Sequence, residues 1–288
     1  MSPTELAALP SAARDALLAY RAAEISAEIA LMRLMLAFGD DAAMLDCLER
    51  VGAAELLRVA TANRAGLART AALIRSGLAH EKQGSIAAIR DQFDHAVALA
   101  PEAAVALYSL GSPETLDRAG VEIVERLREW RLLGPSVVAL DIGCGIGRIE
   151  RALAPHLRAI TGADVSSAMI AEARGRCHDL VNVDFVVCGG ADLADFAGRR
   201  YDLILAVDSF PYLVAAGPAI AARHIADAAG LLRRHGTLVI LNFSYRGDLD
   251  GDRAEIRRLA AAHGLRVERN GTRDFALWDG ATFLLRKP

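Results

Sequence analysis

Residues 137–147, Val-Val-Ala-Leu-Asp-Ile-Gly-Cys-Gly-Ile-Gly, constrain this chain more than any other segment. The apolar run Val137–Leu140 suits a strand buried on both faces. Asp141 closes the run, and Gly143, Gly145 and Gly147 follow at alternate positions before a helix-like segment begins at Arg148. Glycine is needed where a chain turns tightly or where backbone must approach a ligand with no Cβ in the way. A strand, a glycine turn and a helix N-terminus together make a nucleotide-type site. The plainer reading is an ordinary strand-to-helix turn. The spacing is G-x-G-x-G, one residue short of the G-x-G-x-x-G of dinucleotide sites.

The segments on either side set the fold class. The first third is rich in Ala, Leu and Arg, with helical periodicity and no β-rich runs. It predicts helices over Ser11–Ala37, Asp41–Val51, Ala53–Gly77, Ser85–Leu99, Pro101–Leu110 and Pro113–Trp130, punctuated by Gly52, Gly84 and Gly111. Beyond Gly134-Pro135, strand-like runs alternate with helical ones, the pattern of a parallel α/β sheet. Strands are expected at Ser136–Leu140, Ala159–Ala163, Val183–Val187, Leu203–Val207 and Thr237–Asn242, with Leu265–Glu268 and Thr282–Arg286 as a closing antiparallel pair. The helices between them are expected at Arg148–Ala154, Ser167–Cys177, Ala219–Arg234 and Arg253–His263. The domain reading is an all-helical part, residues 1–111, followed by an α/β domain, residues 112–288.

Residues 137–147 resemble motif I of the class I S-adenosylmethionine (SAM)-dependent methyltransferases, hydrophobic-Leu-Asp-hydrophobic-Gly-Cys-Gly-x-Gly. The resemblance covers about residues 105–288 and leaves the helical part without a counterpart. It implies a Rossmann-like, doubly wound, seven-stranded sheet, mostly parallel with an antiparallel last strand. It also implies that Gly143, Cys144, Gly145 and Gly147 pass under the methionine part of SAM and that Asp141 helps to orient it.

Asp164 ends the second expected strand. A carboxylate there can accept hydrogen bonds from both ribose hydroxyls. The segment resembles motif II of the same family, which assigns Asp164 to the ribose and Val165 to the same pocket. A helix N-cap is the competing role for Asp164, although Ser166 is better placed for it. Met169 falls where the family often contacts adenine, and core packing explains it equally well. Cys188-Gly-Gly-Ala-Asp-Leu193 resembles motif III, except that Gly189 stands where the family carries an Asp for the adenine amine. Gly190, Ala191, Asp192 and Leu193 are the adenine-side candidates.

Asp208-Ser-Phe-Pro-Tyr-Leu213 leaves the fourth strand, where open α/β sheets bind ligands. It resembles the Asp/Asn-x-x-x-Tyr-Leu segment of small-molecule methyltransferases. It also lies one residue from the (Asn/Asp/Ser)-Pro-Pro-(Tyr/Phe) motif of amino-methyltransferases that act on DNA bases or protein side chains. Pro211 ending a strand, with Tyr212 packing, is the structural alternative. Asp208 and Tyr245 are the catalytic candidates, and Asp208 also counts as cofactor-side. Phe210, Tyr212, Phe243, Tyr245, Arg246 and Trp278 are the acceptor-side candidates. Arg246 would hold a carboxylate. Each aromatic has packing as its alternative. Tyr108, just before the α/β domain, is a candidate to fold over the sulfonium, where a π face attracts a cation, or to pack between helices.

Composition narrows the class. The formal charge of −3 argues against a constitutive nucleic-acid binder. The 4 cysteines lack C-x-x-C spacing, which fits a reducing compartment rather than a disulfide framework. The N-terminal residues, with Glu5 and Arg14, show no secretory pattern, and Ile25–Phe38 is too short and too polar to span a bilayer. A cytoplasmic protein without membrane or nucleic-acid partners is expected. The 7 histidines, His80 among them, show no H-x-x-x-H pattern, so no metal is expected. His95 and His224 are general-base candidates, with helix-face roles as the alternative. The sequence therefore reads as an enzyme that transfers a methyl group from SAM to a small molecule, leaving S-adenosylhomocysteine. Its helical part would cover the site and is a candidate homodimer contact. The alternatives are a methyltransferase for a protein or nucleic acid, and a non-catalytic SAM-binding scaffold.

Overall fold

A computed structural model describes residues 9–77 and 84–288; Glu5 and His80 lie outside them. The described chain forms two compact units. One holds residues 9–77, His95–Ala119 and Phe275–Asp279. The other holds residues 84–94, Gly120–Asp274 and Gly280–Pro288.

The helical unit contains α1 (Ser11–Arg21), α2 (Ala27–Phe38), α3 (Asp41–Arg50), α4 (Ala54–Ala62) and α5 (Arg64–Arg75). Helix α6 (Ile86–Leu99) follows and divides between the units, and α7 (Pro101–Val105) belongs to the helical one. Three expected long helices are broken. Ala23 turns at φ 56°, and the Ser26 hydroxyl caps α2 by accepting from Ile29 N, so Ser11–Ala37 becomes two helices. The second break falls at Asn63, whose side chain donates to Leu110 O at 2.9 Å. The third lies in Pro101–Leu110, where α7 gives way to the tight turn Leu107–Ser109. Here Gly66 of α5 meets the turn at Leu110 and Gly111: a Cβ on Gly111 would lie 2.8 Å from Gly66 O. Leu31, Leu34, Met35, Met44, Leu48 and Leu56 fill the core of this unit.

The α/β unit follows α8 (Pro113–Glu129), which also divides between the units. Its strands are β1 (Gly134–Ile142), β2 (Leu157–Asp164), β3 (Val183–Val187), β4 (Tyr201–Val207), β5 (Leu232–Leu241), β6 (Arg266–Arg273) and β7 (Ala281–Arg286). They form one sheet in the order β3-β2-β1-β4-β5-β7-β6. The first five strands pair in parallel, and β7 runs antiparallel between β5 and β6. The expected seven strands are all present. Helices α9 (Arg148–Leu153), α10 (Ser167–Arg176), α12 (Pro218–Leu231) and α13 (Leu249–Ala262) flank them, with a further short helix, α11 (Phe210–Ala216), that the sequence did not announce. Apolar residues of the central strands, such as Leu140, Ile204, Leu238 and Ile240, pack with Ala221, Ile225 and Ala228 of α12. Cys144, Ile170, Ala173, Cys177 and Phe185 form a second cluster. Strand order reverses between β1 and β4, the place where open α/β sheets bind ligands, with Gly143 and Asp208 just beyond their carboxyl ends.

The unit boundary differs from a single cut after residue 111. Residues 84–94 group with the sheet because Asp94 and Phe93 are anchored there, as detailed below. The stretch 112–119 groups with the helices, where Arg118 pairs with Glu28 at 2.9 Å. The β6–β7 loop also joins the helical unit. Ser26 Oγ donates to Leu277 O at 2.9 Å, and Arg33 pairs with Asp279 at 2.8 Å.

Among the described residues, no helix is long and apolar enough to cross a membrane.

Candidate cofactor and acceptor site

The loop after β1 is held by its own backbone. Gly143 N and Cys144 N both donate to Ala163 O on β2, at 2.7 and 3.0 Å, and Gly147 N donates to Cys144 O at 3.1 Å. Gly143, Gly145 and Gly147 have φ of 74°, 55° and 78°, left-handed conformations that favour glycine. Space matters as well. A Cβ on Gly143 would overlap Ser209, and one on Gly147 would lie 3.0 Å from the Phe185 ring. The glycines thus let the loop lie flat between β1, β2 and the segment after β4.

Asp164 clasps this loop. Its Oδ2 accepts from Gly145 N at 2.9 Å and its Oδ1 from Ser166 N at 2.9 Å. Burial raises its pKa, against these two hydrogen bonds, which favour the ionised form. Ser166 is the N-cap of α10, accepting from Met169 N at 3.0 Å. A residue from upstream joins it: Asp94 of α6 accepts from Ser166 Oγ at 2.6 Å and from Ala168 N at 3.1 Å.

Asp141 is 1% exposed. Burial pushes its carboxyl up to about 7, with Glu150 and Arg148 pulling against that rise. Glu150, 0% exposed, sits beside it on α9 and is raised well above the usual range by burial and by the Asp141 charge. Among the described residues, the four oxygens of these two carboxyls have no hydrogen-bond partner outside the pair.

On the β4 side, Asp208 and Asn242 both adopt left-handed φ, 58° and 74°, at the ends of neighbouring strands. Such strain in non-glycine residues concentrates at functional sites. Asp208 Oδ1 accepts from Tyr245 Oη at 2.8 Å and from Asn242 Nδ2 at 3.1 Å. The Tyr245 phenol is raised well above its ordinary value, first by burial and then by the Asp208 charge. It therefore stays protonated near neutral pH. Tyr212 stands edge-on to Tyr245, ring centres 5.9 Å apart, and Phe93 edge-on to Tyr212 at 4.9 Å. Ser209 Oγ donates to Ile142 O, tying this segment to the end of β1.

Comparison with known proteins agrees with this geometry. Residues 139–236 match the family described as a methyltransferase domain. The fold is that of magnesium protoporphyrin IX methyltransferase from Synechocystis PCC 6803, solved with bound SAM: TM-score 0.52, 18% identity, covering 73% of this chain and 99% of that one. The similarity to the methyltransferase domain runs over residues 139–236 of this chain. Among curated relatives, demethylmenaquinone methyltransferase of Tropheryma whipplei is 33% identical over 106 residues, 37% of this chain and 41% of that protein. Nodulation protein S of Sinorhizobium fredii is 32% identical over 81 residues, 28% of this chain and 36% of that protein. The chain thus spans about two fifths of the length of these relatives.

SAM is bound in the solved Synechocystis methyltransferase, and the residues present in this chain fit it. Asp141, at the foot of the glycine loop, carries two buried oxygens that lack partners among the described residues. Asp164 keeps a second lone pair on each oxygen for hydroxyl donors.

Other expected residues are placed differently. Phe210 and Phe243, both 0% exposed, stack on each other at 5.4 Å within the core, so they do not line a cavity as acceptor contacts. Arg246 is engaged internally: it pairs with Asp252 at 2.6 Å and Glu255 at 2.9 Å, so its charge is already compensated. Trp278, 6% exposed, packs on Phe275 in the loop that joins the helical unit. Tyr108, 3% exposed, lies in the tight turn of the helical unit.

Met169 and Leu193 are buried at 1% and 3%. Gly190, at φ 73°, is pressed against Val165 and Ile86, while Ala191 is exposed. Asp192 accepts from Ala194 N at 3.1 Å and pairs with Arg223 at 3.6 Å. At the motif III departure, Gly189 N donates to Asp195 at 3.2 Å. His224 is a core histidine: it is 2% exposed, bonded to Ile220 O at 2.9 Å, and its pKa is lowered by burial. His95 is exposed on α6. Among the described residues, no group of three or more His, Cys, Asp or Glu side chains could hold a metal ion.

Four residues of this geometry escaped the sequence reading. Glu150 was hidden because its helix is short. Asp94 and Phe93 were hidden because they lie outside the motif region. The role of Asn242 depends on strand register alone.

Proposed function

We propose that the protein transfers the methyl group of SAM to a small-molecule acceptor bound beside Asp208, Tyr212 and Tyr245. The observation that carries this reading is the Asp208–Tyr245 hydrogen bond at the carboxyl end of β4, tied through Ser209 to the end of β1 and the glycine loop. Bound SAM supplies a methyl group on a sulfonium, already a strong electrophile. The protein's task is then chiefly to align an acceptor, and positioning of this kind can contribute roughly 7–11 kcal/mol. A general base adds about 10²–10⁴-fold. Asp208 is the residue suited to take a proton from the acceptor. Tyr245, a neutral phenol, donates to Asp208 and fixes its orientation, and so acts as a positioning residue rather than a base. Tyr212 and Phe93 form the apolar wall on that side. Gly143, Gly145, Gly147 and Asp141 would hold the methionine part, and Asp164 the ribose.

The alternative motif of amino-methyltransferases gains no support from the local geometry. The Ser209 hydroxyl is donated to Ile142 O, and Phe210 is in the core. Calorimetry with S-adenosylhomocysteine tests the cofactor part. Methyl-labelled SAM, offered with a panel of small amines, phenols and carboxylic acids and with protein and nucleic acid, tests the rest. Label appearing only in macromolecules refutes the small-molecule reading, and no label anywhere leaves the scaffold alternative standing in its place.

A further inference from the structure

The glycine loop encloses two buried carboxyls, and the motif accounts only for Asp141. Glu150 projects from α9 onto the β1–β2 ladder. Asp141 is in register with Gly162, and Glu150 Oε1 lies so close over Gly162 that a Cβ there would come within 2.6 Å of it. Both carboxyls are removed from water, and their oxygens have no hydrogen-bond partner outside the pair among the described residues. The charged and titratable groups facing the pair come from every neighbouring element: Arg148 from α9, Asp164 from β2, Cys144 from the loop and Cys177 at the end of α10. Burial and the adjacent carboxylates raise both thiols, which stay neutral. One guanidinium therefore faces three carboxyls. Two like charges this close and out of water do not both ionise, so a shared proton is the favoured state of the empty site. The raised position of both carboxyls agrees with this.

We propose that Glu150 is a positioning residue for the cofactor, acting through Asp141: the pair holds one proton between its carboxyls when the site is empty, and SAM binding expels that proton to solvent. This rests on the SAM reading of the site. The balance is simple. One carboxyl O–H bond breaks, the proton passes to the buffer, and the positive charge of the bound cofactor compensates the second carboxylate.

The test is calorimetric titration of the whole protein with SAM at pH 7 in phosphate and in Tris, whose ionisation enthalpies differ. Affinity is then measured from pH 6 to pH 8. The wild type is expected to release a large fraction of a proton per SAM bound. Its affinity should tighten by up to about tenfold between pH 6 and pH 7, because binding prefers the deprotonated pair. In Glu150→Gln the amide cannot share a proton, and its N–H can donate to Asp141 and favour the ionised form, so proton release falls close to zero and affinity changes less than about twofold. Wild-type binding without proton release overturns the inference even if the variant does not fold, and so does a variant that releases as much as wild type. A wild type that does not bind SAM at any of these pH values overturns the cofactor reading itself, and this inference with it.

Discussion

Asp164→Ala separates two roles that one carboxylate plays. In the empty protein Asp164 accepts from Gly145 N and Ser166 N, each at 2.9 Å, and both residues are buried. Removing the carboxylate strands two buried donors, at about 1–3 kcal/mol each. Part of that is offset, because burial already disfavours the Asp164 charge. A net destabilisation of about 1–4 kcal/mol is expected, read as a lower urea midpoint without ligand. The ribose role adds a separate loss. Two hydrogen bonds to a charged acceptor contribute about 1.5–3 kcal/mol each. Losing them should weaken S-adenosylhomocysteine binding by at least about 100-fold in calorimetry run where the variant remains folded. Reduced stability with affinity within about threefold of wild type would make Asp164 a loop clasp only. If neither quantity changed, the hydrogen-bond argument would itself be wrong.

Three further outcomes follow from particular contacts. Arg246→Ala removes the guanidinium paired with the buried Asp252 and leaves it the Ser244 hydroxyl, which donates to it at 2.8 Å. It should cost about 1–2 kcal/mol of stability and leave the KM for any acceptor unchanged; a tenfold KM increase at unaltered stability would restore Arg246 as a substrate contact. Tyr245→Phe removes the donor to Asp208 and should lower kcat by roughly 10–100-fold with S-adenosylhomocysteine affinity intact. An unchanged kcat counts against the positioning role. The Asp141 carboxyl, at about 7 in the folded empty protein and near 4 unfolded, binds more protons when folded. The stability it contributes is complete below about pH 4 and is lost as pH rises through about 7. Asp141→Asn should therefore flatten the fall in urea midpoint between pH 5 and pH 8, and parallel curves for the two proteins would contradict this.

Local chemistry made much of the fold legible. The apolar run before Asp141 suited a doubly buried strand; it is a strand in which Ala139 and Leu140 are buried and Val137 and Val138 half-buried, and Gly143, Gly145 and Gly147 adopt the left-handed backbone that favours glycine. Every expected strand formed, because apolar runs bounded by turn residues carry their own period. The helices were less legible. Ser11–Ala37 and Ala53–Gly77 each split where one polar side chain found a better partner than the next helical turn, Ser26 as a cap and Asn63 on Leu110 O. Propensity gives no sign of such long-range bonds.

The sequence by itself determined the α/β class, the glycine loop and the acidic residues that end β1 and β2, because a short motif dictates its own backbone. Tertiary structure decided which side chains face one another across the strand order. It sent Phe210 and Phe243 into the core and bound Arg246 to Asp252. It brought Asp94 from α6 to the N-terminus of α10, set Tyr245 on Asp208, and put Glu150 beside Asp141. Contacts between residues far apart in the chain depend on register and crossover. One residue of register moves a side chain from site to core, and no local pattern records that choice.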